Sequence, residues 1–214
     1  AEAACEGKAK PVYVIGSEVP IPGGATENED GLTATTPEEL AATLEAFREA
    51  FHERGLQDAL TRVIAVVVQP GVEFADNTII QYVPDNAKRL TDYVRTLPDI
   101  VLEGHSTDYQ SQSVLTAMRS DGIAILKVGP ALTFAVREAL FALENMERIL
   151  FPLPPENGYS EFSAIVERTM LKDEQYWRKY YGGTPLQQAY ARKYSLSDRC
   201  RYYLDTADVQ NAIR

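Results

Sequence analysis

The sequence predicts an α/β fold in which a parallel β-sheet is built from repeated strand–turn–helix units. Three observations carry this. Short apolar runs such as Val63 to Val68 (VIAVVV) and Ile123 to Val128 (IAILKV) stop at Gly and Pro residues. Runs of that length read as strands, and a nearly unbroken one suits a parallel strand covered on both faces. Strand-like and helix-like stretches then alternate four times with short connections. That alternation signals a parallel sheet with right-handed crossovers.

The first strand is Pro11 to Val19 (PVYVIGSEV), ended by Pro20-Ile21-Pro22-Gly23-Gly24 and a polar loop through Thr35. Thr36-Pro37-Glu38-Glu39 opens a helix: a Thr cap, Pro at the first helical position and acids in the first turn. Leu40, Leu44, Phe47 and Phe51 form its buried face, and Gly55 is its C-terminal stop. Val63 to Val68 is the second strand, ended by Gln69-Pro70-Gly71. A helix over 84–96 leads to the third strand, Asp99 to Gly104. A polar turn, His105 to Asp108, precedes a helix over 110–119. The fourth strand, Ile123 to Val128, breaks at Gly129-Pro130. Leu132, Val136, Leu140, Leu143 and Ile149 then recur at helical spacing, so an amphipathic helix follows. Four β/α units make half of an eight-unit barrel. The domain reading is therefore 1–150 as the C-terminal half of a β/α barrel, with a small doubly wound sheet as the alternative. Residues 151–214 read as a helical, aromatic-rich extension packing on the barrel or on a partner.

The chain has 214 residues, 45% apolar and 24% charged, enough for a substantial core. Its net charge of -10 argues against a general nucleic-acid binder, which is normally basic. Cys5 and Cys200 are the only cysteines and show no metal-ligand spacing. No apolar run approaches the ~20 residues of a spanning helix, and nothing resembles a signal peptide. A reduced, cytoplasmic compartment is expected, with no membrane contact. No GxGxxG or GxxxxGK[ST] pattern follows any strand, which weighs against the nucleotide-binding versions of the fold.

Each strand ends in polar residues: Ser17 and Glu18, then Gln69, then Glu103, His105, Ser106, Thr107 and Asp108, then Lys127. In a parallel barrel these ends converge on one mouth. Side chains alternate along a strand, so Glu103 and His105 share a face. His105 is the metal or acid–base candidate, since a neutral imidazole ligates metals or shuttles protons near neutral pH. A catalytic zinc needs three protein ligands, and His105 with Glu103 or Glu18 supplies part of such a set. The plain alternative is a hydrogen-bonded histidine at the rim. Lys127 is a charge within an apolar run, and a lone buried ammonium is costly. It is a candidate Schiff-base nucleophile or, more simply, an ion-pair partner for Glu103 or Glu18. Glu18, His105 and Lys127 are thus the candidate catalytic group. Ser106 and Thr107, with the N–H groups of Gly129 and Ala131 where a helix begins, are the candidate phosphate site.

The segments VIGSEVPIPGG (14–24), RVIAVVVQPGVEF (62–74), EGHSTDYQ (103–110), AILKVGPALTFAVREALFAL (124–143) and YSLSDRCRYY (194–203) together resemble the Z-type subunit of tagatose-1,6-bisphosphate aldolase. The resemblance implies a TIM (β/α)8 barrel similar to class II aldolases, of which this chain covers the C-terminal half. It implies a role in galactitol and N-acetylgalactosamine catabolism, and some members carry an older tagatose-6-phosphate kinase label. It also implies an accessory part: a non-catalytic subunit that sustains a catalytic, zinc-using Y-type partner. Family chains are about twice as long, so the first four strands, including a Gly-Asp-His metal-ligand strand end, are expected outside this chain. On that reading any zinc belongs to the full barrel or to the catalytic partner. A sugar phosphate is the expected ligand. Four strands cannot close a barrel of eight, so the other half or a second copy (a homo-oligomer) is expected to cover the sheet edges.

Overall fold

The computed structural model of the protein describes residues 2–5, 9–16, 32–156 and 158–214. These fall into two compact units. The first holds residues 2–5, 9–16, 32–73 and 79–128, the second 74–78, 129–156 and 158–214. The sequence reading draws its line at 150; the compact units divide ahead of the helix that starts at Pro130.

The strands in chain order are β1 (Tyr13–Ile15), β2 (Val63–Val68), β3 (Glu73–Phe74), β4 (Ile79–Ile80), β5 (Val101–Gly104) and β6 (Ile123–Leu126). In the first unit β1, β2, β5 and β6 form one sheet in that order, every pairing parallel. Val67 lies beside Glu103, and Gly104 beside Leu126. The order never reverses, so these strands have no switch point of the kind a doubly wound sheet requires. Helices α1 (Pro37–Glu53), α2 (Gln57–Leu60), α3 (Pro84–Val94) and α4 (Gln112–Ser120) fill the connections. Val66, Val68, Leu90, Leu102, Met118 and Ile123 are buried together at the centre of this unit. The strands are shorter than the apolar runs suggest. Twist and pairing end β6 at Leu126, which leaves Lys127 exposed beyond it, not buried inside a strand. The calls on residues 17–19 of the first strand lie outside the described residues.

The start of α1 forms as its sequence dictates. The Thr36 hydroxyl accepts the Glu39 N–H, and the Glu39 carboxylate accepts the Thr36 N–H at 2.8 Å, a reciprocal cap on two otherwise orphaned donors. At the other end Gly55 takes a left-handed φ of 65°, and Leu56 N–H reaches back to the Phe51 carbonyl. The Thr36 N–H, then the Thr36 hydroxyl, hold the Glu39 carboxyl below the usual carboxylate range. A pKa lowered by folding means that unfolding takes up protons. This contribution is complete above the ordinary carboxylate range and is lost as pH falls through and below it. Thr36→Ala is expected to cost ~1 kcal/mol at neutral pH. Melts of the first unit should show the Glu39→Gln deficit at pH 7 shrinking towards zero at about pH 3; a deficit independent of pH would disprove the linkage.

The second unit is helical: α5 (Pro130–Leu150), α6 (Phe162–Lys172), α7 (Pro185–Tyr194), a 3-10 turn (Arg199–Tyr203) and α8 (Ala207–Ile213). Phe162, Met170, Trp177, Tyr181 and Tyr203 make its core. The aromatic residues of the C-terminal segment are therefore partly spent on a core of their own. Of the predicted apolar stripe of α5, Leu140 packs with Phe141 against this core, and the other four residues face outward. Leu132, Val136, Leu143 and Ile149 are 54–78% exposed, whereas Arg137 and Glu144 are buried. The buried pair is tolerated because both charges have partners: Arg137 meets Asp198, and Glu144 accepts the Ser163 N–H at 3.1 Å. No helix among the described residues is long and apolar enough to cross a membrane.

Candidate functional site

The C-terminal end of the parallel sheet in the first unit carries Gln69, Glu103, His105 and Lys127, because all four strands run the same way. Glu103 is the penultimate residue of β5 and His105 the first beyond it, on the same side of the pleat. His105 Nε2 lies 2.8 Å from Glu103 Oε1, with both side chains only 12–14% exposed. Gly104 between them is a site of close approach. A Cβ there would sit 3.0 Å from Ile123 Cγ2 and 3.3 Å from Pro70 Cγ, so only glycine lets β5 end this close to its neighbours.

The loop after β5 is clamped to β6 by backbone contacts. Lys127 N–H donates to the Gly104 carbonyl at 3.0 Å, and the Thr107 hydroxyl donates to the Lys127 carbonyl at 2.9 Å. Ser106 adopts a left-handed φ of 54° and Tyr109 one of 62°, a costly conformation for residues other than glycine. Gln110 closes the far end: its side chain accepts the Tyr82 N–H and donates to the Ile80 carbonyl. Gln69 closes its own turn, its Oε1 accepting the Gly71 and Val72 N–H groups at 2.8 and 3.0 Å. Its role there is to hold a turn.

The candidate residues therefore separate. Glu103 and His105 form a closed pair. Lys127 stands at the same end of the sheet, but its side chain makes no ion pair with Glu103 or any other described residue; Glu103 is taken by His105. The Thr107 hydroxyl is committed to a carbonyl, which leaves Ser106 as the hydroxyl of this loop without a bond among the described residues. Gly129 and Ala131 open α5 in the second unit, and both take part in interactions of their own. Glu18 lies outside the described residues. Among the described residues no three His, Cys, Asp or Glu side chains are placed to hold a metal ion. His105 and Glu103 are two donors bonded to each other, and this set does not fit a catalytic zinc, which takes three protein ligands.

Chemistry-bearing residues that sequence reasoning passed over lie in the second unit. Asp198, held at a left-handed φ of 44°, is buried and accepts Arg137 Nε–H at 2.7 Å and the Thr133 hydroxyl at 2.6 Å. Burial works against the Arg137 charge, yet Asp198 outweighs it and holds the guanidinium pKa above its usual value. Asp76 accepts the Ser195 and Ser197 hydroxyls at 2.6 and 3.0 Å. Arg199 lies over the Tyr180 ring at 3.1 Å. The stretch YSLSDRCRYY is thus a connector that ties α5, the 74–78 segment and the 176–181 turn into one unit. The signal was present: consecutive Asp-Arg-Cys-Arg in an otherwise apolar, aromatic context demands buried partners.

Cys200 in that stretch is fully buried, and burial pushes its thiol pKa well up. Since the thiolate is the reactive form, native protein should react with a maleimide at Cys5, which is partly exposed, and at Cys200 only after denaturation. Rapid labelling of both in the native state would contradict the packing described.

A parallel sheet of successive β/α units with polar strand ends defines an α/β protein of the kind that binds small molecules at its strand termini. The sequence matches the family model of the D-tagatose-1,6-bisphosphate aldolase subunit GatZ/KbaZ-like over residues 1–214, and the chain belongs to that family. It is also similar to a solved structure described as a "probable tagatose 6 phosphate kinase" from Sinorhizobium meliloti 1021, at 39% identity and a TM-score of 0.83. The match covers 95% of this chain and 48% of that one, so the chain spans about half the length of that relative.

Proposed function

We propose that the protein acts as the accessory subunit of a D-tagatose-1,6-bisphosphate aldolase, sustaining the stability and activity of a catalytic Y-type partner in galactitol and N-acetylgalactosamine catabolism. Family membership gives the aldolase-subunit context. The observation that carries the accessory role is the Glu103–His105 pair: the one histidine at a strand end in this sheet is bonded to its neighbour, and no third ligand stands beside them among the described residues. The unreversed strand order of consecutive β/α units supports a barrel that the rest of a longer chain completes. The outward apolar stripe of α5 supports a protein that works against further protein surface, since exposed apolar patches of this size are normally covered. The kinase label on the relative loses weight because no GxGxxG or GxxxxGK[ST] pattern occurs in this sequence.

The test is cleavage of tagatose 1,6-bisphosphate by the full protein, alone and with a Y-type subunit. The expected result is no turnover above background alone, and a raised rate or a longer active lifetime of the partner in the mixture. Turnover of ~1 per second or more by the protein alone, abolished by His105→Ala, would overturn the accessory role and establish a lyase centred on this strand end.

A further inference from the structure

The second unit contains a cleft of about 750 Å³, between the 75–77 segment, the Tyr180–Gly183 turn and the outer face of α7. That volume lies within the range of small-molecule sites. It is far from empty of chemistry. Asp76 lines it, and the Ser195 and Ser197 hydroxyls both donate to the same carboxylate oxygen, Oδ1. The other oxygen, Oδ2, accepts no hydrogen bond among the described residues and is the carboxylate's open acceptor. Asn77 and Gln187 add amides to the lining. The Gln187 carbonyl is used up by the Thr184 N–H at 2.8 Å, which leaves its NH2 as a donor. Among the described residues no Lys, Arg or His lines the cleft.

The aromatic part of the lining is equally specific. Tyr181 is buried, its hydroxyl 3.2 Å from the Ser197 hydroxyl and accepting the Arg199 N–H. The face of Tyr180 is occupied by the Arg199 guanidinium. Tyr190 packs on the Tyr194 ring at 5.2 Å between centroids and, at 62% exposure, is the most exposed ring of the lining. One exposed ring is a platform, whereas a quaternary ammonium is recognised by several rings enclosing it. Among the described lining residues Asp76 carries the charge, which disfavours phosphate and carboxylate; Arg199, which is buried, and Lys179 pack on the Tyr180 ring. What remains is an uncharged molecule with an apolar face for the ring and a rim of groups that both donate and accept. Hydroxyls do both.

We propose that this cleft binds an unphosphorylated sugar of one or two rings, its C–H face on Tyr190, one hydroxyl donating to Asp76 Oδ2 and others accepting from the Asn77 and Gln187 amides. The proposal stands independently of the accessory role, because it uses no residue of the β5 strand end. It gives the second unit a ligand distinct in charge from a sugar phosphate.

Saturation-transfer NMR on the full protein tests it, with D-glucose, lactose, maltose, D-glucose 6-phosphate and tetramethylammonium as probes. Transfer to the ring C–H protons of at least one neutral sugar is expected, with weak affinity of about millimolar Kd. Tyr190→Ala should weaken that binding by about tenfold or more, and Asn77→Ala by a smaller factor, both with unchanged melting because these side chains are exposed. D-Glucose 6-phosphate should bind less well than D-glucose. Absence of transfer to all three neutral sugars, binding that survives both substitutions, equal binding of the phosphate, or preference for tetramethylammonium would each overturn the proposal.

Discussion

Asp198→Ala is expected to cost about 3–5 kcal/mol and to unfold the second unit well before the first, because it removes the buried partner of Arg137 and leaves that cation only Glu138, whose side chain is half-exposed. Arg137 Nε donates to Asp198 at 2.7 Å with side-chain exposures of 1% and 0%, so neither charge can turn to water when the other is removed. One further nitrogen of Arg137, a terminal NH2, is already buried without a hydrogen-bond partner. Asp198 also anchors the Thr133 hydroxyl and lies 3.4 Å from the Cys200 sulfur. The loss therefore spreads over α5 and the 3-10 turn. Urea unfolding followed by the emission of Trp177, the single tryptophan of the chain, reports on this unit. The double variant Arg137→Met, Asp198→Leu should recover much of the loss, since exchanging both members of a buried pair for apolar groups is often near neutral. A single Asp198→Ala variant within ~1 kcal/mol of the wild type would show that water reaches the pair.

The alternation of strand and helix was legible because it depends on local rules: period-2 and period-3.6 patterns, and Gly-Pro punctuation. So was the start of α1, whose cap needs only Thr36, Pro37 and Glu39. The shared face of Glu103 and His105 followed from strand alternation alone. What each candidate side chain bonds to did not follow, because those partners are set by packing. Lys127 reads in the sequence as a charge inside an apolar strand, paired with Glu103 or Glu18 at the mouth. The sheet ends one residue earlier, and its backbone, not its ammonium, does the structural work. The orientation of α5 was hidden for a related reason. Its apolar stripe is stronger than its polar face, so periodicity points the stripe inward. The outward placing of most of it depends on Asp198 and Ser163, residues 61 and 19 positions away from those they meet. Asp76 was invisible for the same cause: it joins Ser195 across 119 positions. Long-range polar pairing leaves no periodic trace in a sequence.

Trp177 is the other position where a single change should have a large effect. The indole is 1% exposed, its N–H donates to the Met170 carbonyl at 2.7 Å, and the Arg192 guanidinium lies 4.5 Å over its ring. Arg192 is itself fixed by Glu167, with N–O distances of 2.6 to 3.2 Å. The ring is therefore the surface on which α6, α7 and the turn between them are held together. Trp177→Ala removes a fully buried ring and is expected to cost ~3–5 kcal/mol. It also leaves the Met170 carbonyl without its donor. Trp177→Phe keeps most of the packing and loses the hydrogen bond, so its cost should be nearer ~1–3 kcal/mol. The tryptophan signal is lost in both, so the readout is the rate at which Cys200, fully buried in the same core, is labelled by a maleimide in native buffer. That rate should rise steeply for Trp177→Ala and modestly for Trp177→Phe, while the helix signal of α1 and α3 persists. Equal labelling rates in wild type and Trp177→Ala would mean that the aromatic core of the second unit does not depend on its largest side chain.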